Sequence, residues 1–236
     1  MTRIGIVGGI GPESTIAYYR LFVAAGHSAV TIHSVDVNRM LGFMMGQDYA
    51  SATSYLVESV TALAQGGAAL AIIAANTPHI VFDDVQAQSP IPLVSVVEAT
   101  CRYVQAQGYR TVGLLGTKFT MEGTFYPAVF ANSGVRLAVP VPDDLASVHD
   151  LYVKELLSNQ LLDRSRARLG EIIGRMIAAD GVEAVILGGT ELPLLLTAAS
   201  HADVPLLDTT RIHVEAALHR LLSHPAWAAV EEIRDE

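Results

Sequence analysis

Short runs of branched apolar residues, bounded by Gly, Pro or polar positions, alternate along the chain with longer amphipathic stretches. The runs Ile4–Val7, Val30–Val35, Ala69–Ala74, Pro92–Val94, Thr111–Leu115, Val135–Val139, Ala184–Leu187 and Val204–Leu207 predict strands. Between them, Ser14–Ala25, Ser51–Gln65, Val96–Gln107, Thr124–Asn132, Asp163–Ala179 and Thr209–Leu222 predict helices. The strand runs alternate little between apolar and polar. That is the mark of parallel strands covered by helices on both faces, so the expected class is α/β with right-handed crossovers.

The two halves of the chain resemble each other. Arg3-Ile4-Gly5-Ile6-Val7-Gly8-Gly9 lies over Thr111-Val112-Gly113-Leu114-Leu115-Gly116-Thr117, and the same displacement pairs Tyr18 with Tyr126 and Phe22 with Phe130. Further on, Ala71–Thr77 matches Val185–Glu191, and Pro92-Leu93-Val94 matches Pro205-Leu206-Leu207. Ordered matches with a slowly drifting displacement predict a duplicated α/β unit: two similar lobes with parallel sheets. One lobe is expected over 1–97 plus a returning C-terminal helix within 208–236, the other over 98–207. Ligands of open α/β sheets bind at the carboxyl ends of the strands, so a cleft is expected between the lobes there.

Composition narrows the function. Of 236 residues, 51% are hydrophobic and 17% charged, enough for a sizeable core and against disorder. With 24 Asp+Glu against 15 Lys+Arg, the net charge of −9 opposes a nucleic-acid partner, which would call for a basic face. The opening MTRIGIVGG lacks the apolar stretch of a signal peptide, and Ala68–Ala75 is too short to span a bilayer, so a cytoplasmic protein with no membrane partner is expected. A single cysteine, Cys101, excludes an internal disulfide and a thiolate-rich metal site, and no i,i+4 histidine pair supports another metal centre. On a predicted helix, Cys101 reads as a small buried apolar residue.

Four glycine- or hydroxyl-bearing loops follow predicted strands. Gly8-Gly9-Ile10-Gly11-Pro12-Glu13-Ser14-Thr15 could turn tightly and hold a small anion at a helix start. Asp36 ends the next strand where a ribose-binding acid would stand, but Ser14 and Pro12 break the dinucleotide fingerprint. Ala75-Asn76-Thr77-Pro78-His79 offers short donors and a titratable imidazole. Gly188-Gly189-Thr190-Glu191-Leu192-Pro193 is its counterpart in the second half, where Glu191 could equally cap a helix. Gly116–Thr124 adds Thr117.

At these loops the sequence resembles the aspartate/glutamate racemase family of cofactor-independent amino-acid racemases. IGIVGGIGPESTIAYY is similar to the family's opening strand and loop; ANTPH resembles its first active-site motif, usually C-N-T-x-H; GGTELP resembles its second, usually G-C-T-E-L-P. The resemblance runs from Ile4 to about Leu222. It implies two lobes related by a pseudo-dyad, an active site between them, no cofactor, commonly a homodimer, and a small carboxylate or carbonyl substrate. It also implies two cysteines that move the α-proton from opposite faces.

In this chain those two positions carry Ala75 and Gly189. Asn76, Thr77, His79, Thr190 and Glu191 stand where the family pattern places them. The resemblance therefore implies Glu191 and His79 as the titrating pair, with Gly9, Asn76, Thr77, Thr117 and Thr190 binding substrate. Three readings follow: a racemase-fold enzyme with altered acid/base chemistry (an epimerase, lyase or hydrolase), an ordinary racemase whose cysteines are substituted in this chain, or a non-catalytic carboxylate-binding module.

Overall fold

The computed structural model describes residues 2–222. The chain forms two compact units, one of residues 2–74, 81–95 and 213–222, the other of residues 75–80 and 96–212. The expected C-terminal helix is present over Thr209–Leu222, and 223–236 lie outside the described residues.

In the first unit β1 (Arg3–Gly8), β2 (Val30–Ser34), β3 (Ala68–Ile73) and β4 (Leu93–Val94) form a parallel sheet in the order β2-β1-β3-β4. α1 (Pro12–Ala24), α2 (Val37–Met45), α3 (Tyr49–Gln65) and α4 (Phe82–Gln88) connect the strands. Ile4, Ile6, Leu70 and Ile72 from the strands pack with Tyr18 and Phe22 of α1 and with Val214, Ala217 and Leu221. α1 begins earlier than expected because Pro12, with its fixed φ and no N–H to satisfy, takes the first turn. α2 has no counterpart among the expected helices. Asp36 starts it by accepting from the Asn38 and Arg39 amides at 2.8 and 3.1 Å.

The second unit repeats the plan. α5 (Val96–Ala106) leads into β5 (Thr111–Gly116), β6 (Arg136–Ala138), β7 (Ala184–Gly188), β8 (Ser200–His201) and β9 (Val204–Asp208), in the sheet order β6-β5-β7-β9-β8. All pairings are parallel except the short β8 addition to β9. α6 (Lys118–Met121), α7 (Phe125–Phe130), α8 (Pro142–Lys154), α9 (Asp163–Asp180) and α10 (Leu192–Leu195) lie between the strands, and α11 is the helix starting at Thr209. The repeat extends to packing. A Cβ on Gly5 would stand 3.0 Å from Leu63 of α3, and one on Gly113 would stand 2.9 Å from Met176 of α9, so each glycine admits a helix close to its own strand.

The largest departure from expectation is α8, which sequence reading left unassigned. Pro142 opens it, Asp143 and Asp144 complement the dipole in its first turn, and Leu145, Val148, Leu151 and Tyr152 form its buried face. Among the described residues no helix is long and apolar enough to cross a membrane.

Candidate active site

Residues 75–80 count with the second unit, so the two family-like motifs, at 75–79 and 188–193, share it with the Thr117 loop. Three hydroxyls converge there: Thr77 Oγ1 is 3.1 Å from Thr117 Oγ1 and 3.3 Å from Thr120 Oγ1. Thr117 caps α6 by accepting from the Thr120 amide at 3.3 Å, which fixes the spacing of these two hydroxyls. Thr120 sits against the strand ends, since a Cβ on Gly116 or on Gly188 would approach its side chain to 3.0 and 3.2 Å. The glycines at the ends of β5 and β7 therefore make room for the hydroxyl cluster. Sequence reading named Thr77 and Thr117 but missed Thr120, whose signal lay in the Thr-x-x-Thr spacing of the cap.

Asn76 braces this cluster. Its Oδ1 accepts from Tyr126 Oη at 2.8 Å, and its Nδ2 donates to Thr209 Oγ1 at 3.2 Å, which in turn donates to the Leu187 carbonyl at 2.8 Å. The loop after β3 is thus tied to α7, to the start of α11 and to β7. Burial pushes the Tyr126 phenol up, so it stays protonated and donates.

His79 is 3% exposed and both its ring nitrogens face backbone. Nδ1 donates to the Ala75 carbonyl at 2.9 Å, and Nε2 accepts from the Val96 amide at 3.1 Å. The Val96 amide belongs to the first turn of α5, where amides lack partners within the helix. The two bonds tie the loop after β3 to the start of α5.

Glu191 is 4% exposed. Its Oε2 accepts from Thr190 Oγ1 at 2.9 Å and from Tyr152 Oη. Burial first, and then the neighbouring Glu191 charge, push the Tyr152 phenol well above the ordinary tyrosine range. The Tyr152 ring also explains Gly189: a Cβ there would stand 2.6 Å from Tyr152 Oη and 2.8 Å from Cζ. A Cβ at 189 would require the Tyr152 ring to shift. At the other motif position, Ala75 is 6% exposed and presents a methyl group.

The remaining sequence-predicted position lies in the first unit. Gly9 has φ +88°, and a Cβ there would collide with the Val35 carbonyl and stand 2.7 Å from Ser34 Oγ, so glycine is demanded by the crossing with the end of β2. Its amide donates to Thr15 Oγ1 at 2.8 Å, and Ser14 Oγ donates to the Ala74 carbonyl. Cys101 is buried on α5, its Sγ 3.9 Å from the Val129 carbonyl, and burial pushes its thiol up.

Two α/β units with parallel-dominated sheets, one of them carrying hydroxyl-rich loops and a buried carboxylate at its strand ends, define the class of protein. The chain matches the Asp/Glu/Hydantoin racemase family model over residues 7–217 and belongs to that family. It is similar to a crystal structure of a candidate Asp/Glu racemase from Yersinia pestis, at 32% identity and a TM-score of 0.84 over 94% of this chain and 100% of that one. An aspartate racemase homologue from Pyrococcus horikoshii gives 31% identity and a TM-score of 0.81 over 95% of this chain and 100% of that one. The broad specificity amino-acid racemase of Bacillus subtilis is 23% identical over 56% of this chain and 61% of its own length.

Proposed function

We propose that this chain is an acid/base enzyme that acts, without a pair of thiols and without a cofactor, at the carbon beside a carboxylate or carbonyl of a small substrate. The observation that carries the reading is the pairing of an intact donor cluster with a buried carboxylate. Thr77, Thr117 and Thr120 hold hydroxyls toward one another at the strand ends, and Glu191 lies buried under two further hydroxyls. Hydroxyl donors of this kind stabilise the negative charge that grows on a substrate oxygen when the neighbouring proton leaves.

Asn76 and His79 act in this reading by holding the loop, His79 through the Ala75 carbonyl and the Val96 amide. Glu191 is the titrating group. An ordinary racemase that had merely lost its second cysteine would hold an empty slot at 189, whereas here a tyrosine ring fills it. That filled slot favours a divergent active site.

The test is incubation with L-aspartate, L-glutamate and a panel of other short 2-amino and 2-hydroxy acids in deuterated water, followed by proton NMR. Loss of the α-proton signal of at least one compound is expected. Thermal stabilisation by a compound that shows no exchange would point to the binding module, and neither exchange nor stabilisation across the panel would overturn the reading.

A further inference from the structure

Position 189 lies at the end of β7, in the loop that carries Thr190 and Glu191, and its backbone is not in the left-handed region, so nothing conformational demands glycine there. What excludes a side chain is Tyr152, presented from the buried face of α8. Its hydroxyl stands 2.6 Å from where the residue-189 Cβ would be, roughly the reach of a short side chain from that backbone. The same hydroxyl donates to Glu191 Oε2, the oxygen that also accepts from Thr190 Oγ1. The Thr77–Thr117–Thr120 hydroxyls adjoin this point through Thr120, which packs on Gly188. A phenol, a carboxylate and a cluster of donors are therefore contiguous through residues 188–191.

We propose that Tyr152 and Glu191 form a proton relay that takes the place of a residue-189 side chain, with the Tyr152 oxygen facing the substrate carbon. The inference rests on the acid/base reading above. The substrate C–H bond breaks and its proton goes to the Tyr152 oxygen, while the phenol O–H bond breaks and that proton passes to Glu191. The C–H electron pair stays on the substrate as an enolate, whose oxygens take hydrogen bonds from the threonine hydroxyls. Return of the proton along the same path restores the C–H bond and leaves both residues as they began. Because each proton arrives at the phenol as another departs, no free phenolate forms beside the carboxylate, an arrangement that buried like charges would oppose.

The decisive comparison is wild type, Tyr152→Phe and Glu191→Gln, assayed for α-proton exchange in deuterated water. Both variants are expected to lose about 100-fold or more in exchange rate at saturating substrate, with KM held within about threefold of wild type. A merely structural Tyr152 would move KM and thermal stability instead. If wild type exchanges and Tyr152→Phe exchanges at the same rate, the relay is wrong and the acid/base reading stands. If wild type exchanges nothing in the panel, both fall together.

Stability supplies an independent check on the geometry. Gly189→Ala is expected to lower the melting temperature by about 5 °C or more, and the loss should largely vanish in a Tyr152→Ala background, because the clash has gone. An equal loss in both backgrounds would mean that Tyr152 does not fill the slot, and would overturn the inference.

Discussion

At the scale of single residues, the chain places several polar groups where burial fixes their protonation. His213 shows this most clearly. It is fully buried, with Tyr18 Oη donating to Nδ1 at 2.8 Å and Nε2 donating to the Val94 carbonyl at 2.8 Å. Burial, opposed in part by the Val94 bond, depresses its pKa from 6.5 to about 4. The folded protein thus keeps His213 neutral at pH values where the unfolded chain would protonate it. Between about 4 and 6.5 the unfolded state binds more protons, so stability falls as pH is lowered through that window and this group adds no further loss below it. The loss amounts to roughly 3 kcal/mol. Urea unfolding at several pH values should show it, and His213→Gln should remove that slope; an unchanged slope would show that other groups carry it.

Residue-level chemistry was only half legible in the sequence. Ala75, Gly189, Asn76, Thr77, Thr190 and Glu191 stood out because they sit inside motifs of fixed spacing. Tyr152 did not, since it lies 39 residues before its partner Glu191 and belongs to no motif. Only the tertiary fold brings it to the Gly189 slot.

At the scale of elements, strands were more legible than helices. Buried parallel strands are continuous apolar runs with sharp boundaries, and all eight expected strands form. The unexpected ninth, β8, is a two-residue antiparallel edge with no run of its own to announce it. Helix α8, with Asp143 and Asp144 in its first turn, has no counterpart among the expected helices, and neither do α2, α4, α6 and α10. In α8 those charges are structural. Asp144 takes Arg175 at both oxygens, 2.7 and 2.9 Å, and Arg168 at 3.1 Å, which ties α8 to α9. The hydrogen bond from Arg175 holds the Asp144 carboxyl below the usual range, so its contribution is present above ordinary carboxylate pH and lost as pH falls through the lowered value. Asp144→Asn is expected to cost about 1–3 kcal/mol in denaturant unfolding. Because α8 presents Tyr152, the same variant should also slow α-proton exchange, whereas an exchange rate unaffected by a loosened α8 would argue that Tyr152 stands outside the reaction.

At the scale of the whole molecule, duplication makes a prediction about stereochemistry. Position 75 follows β3, which pairs in parallel with β1, and position 189 follows β7, which pairs in parallel with β5. Inverting a carbon requires a proton acceptor on one face and a donor on the other. The proposed relay stands beside 189, while Ala75 offers a methyl group. Deuterium should therefore enter the substrate faster than its mirror image appears, because the proton leaves and returns on one face. Chiral chromatography run beside the NMR measurement separates the two rates. Ala75→Cys should raise inversion by about tenfold or more while leaving one-face exchange close to wild type, since the new thiol adds a second acid/base group without touching Tyr152 or Glu191. Inversion as fast as exchange in the wild type would mean that a group other than residue 75 serves the second face.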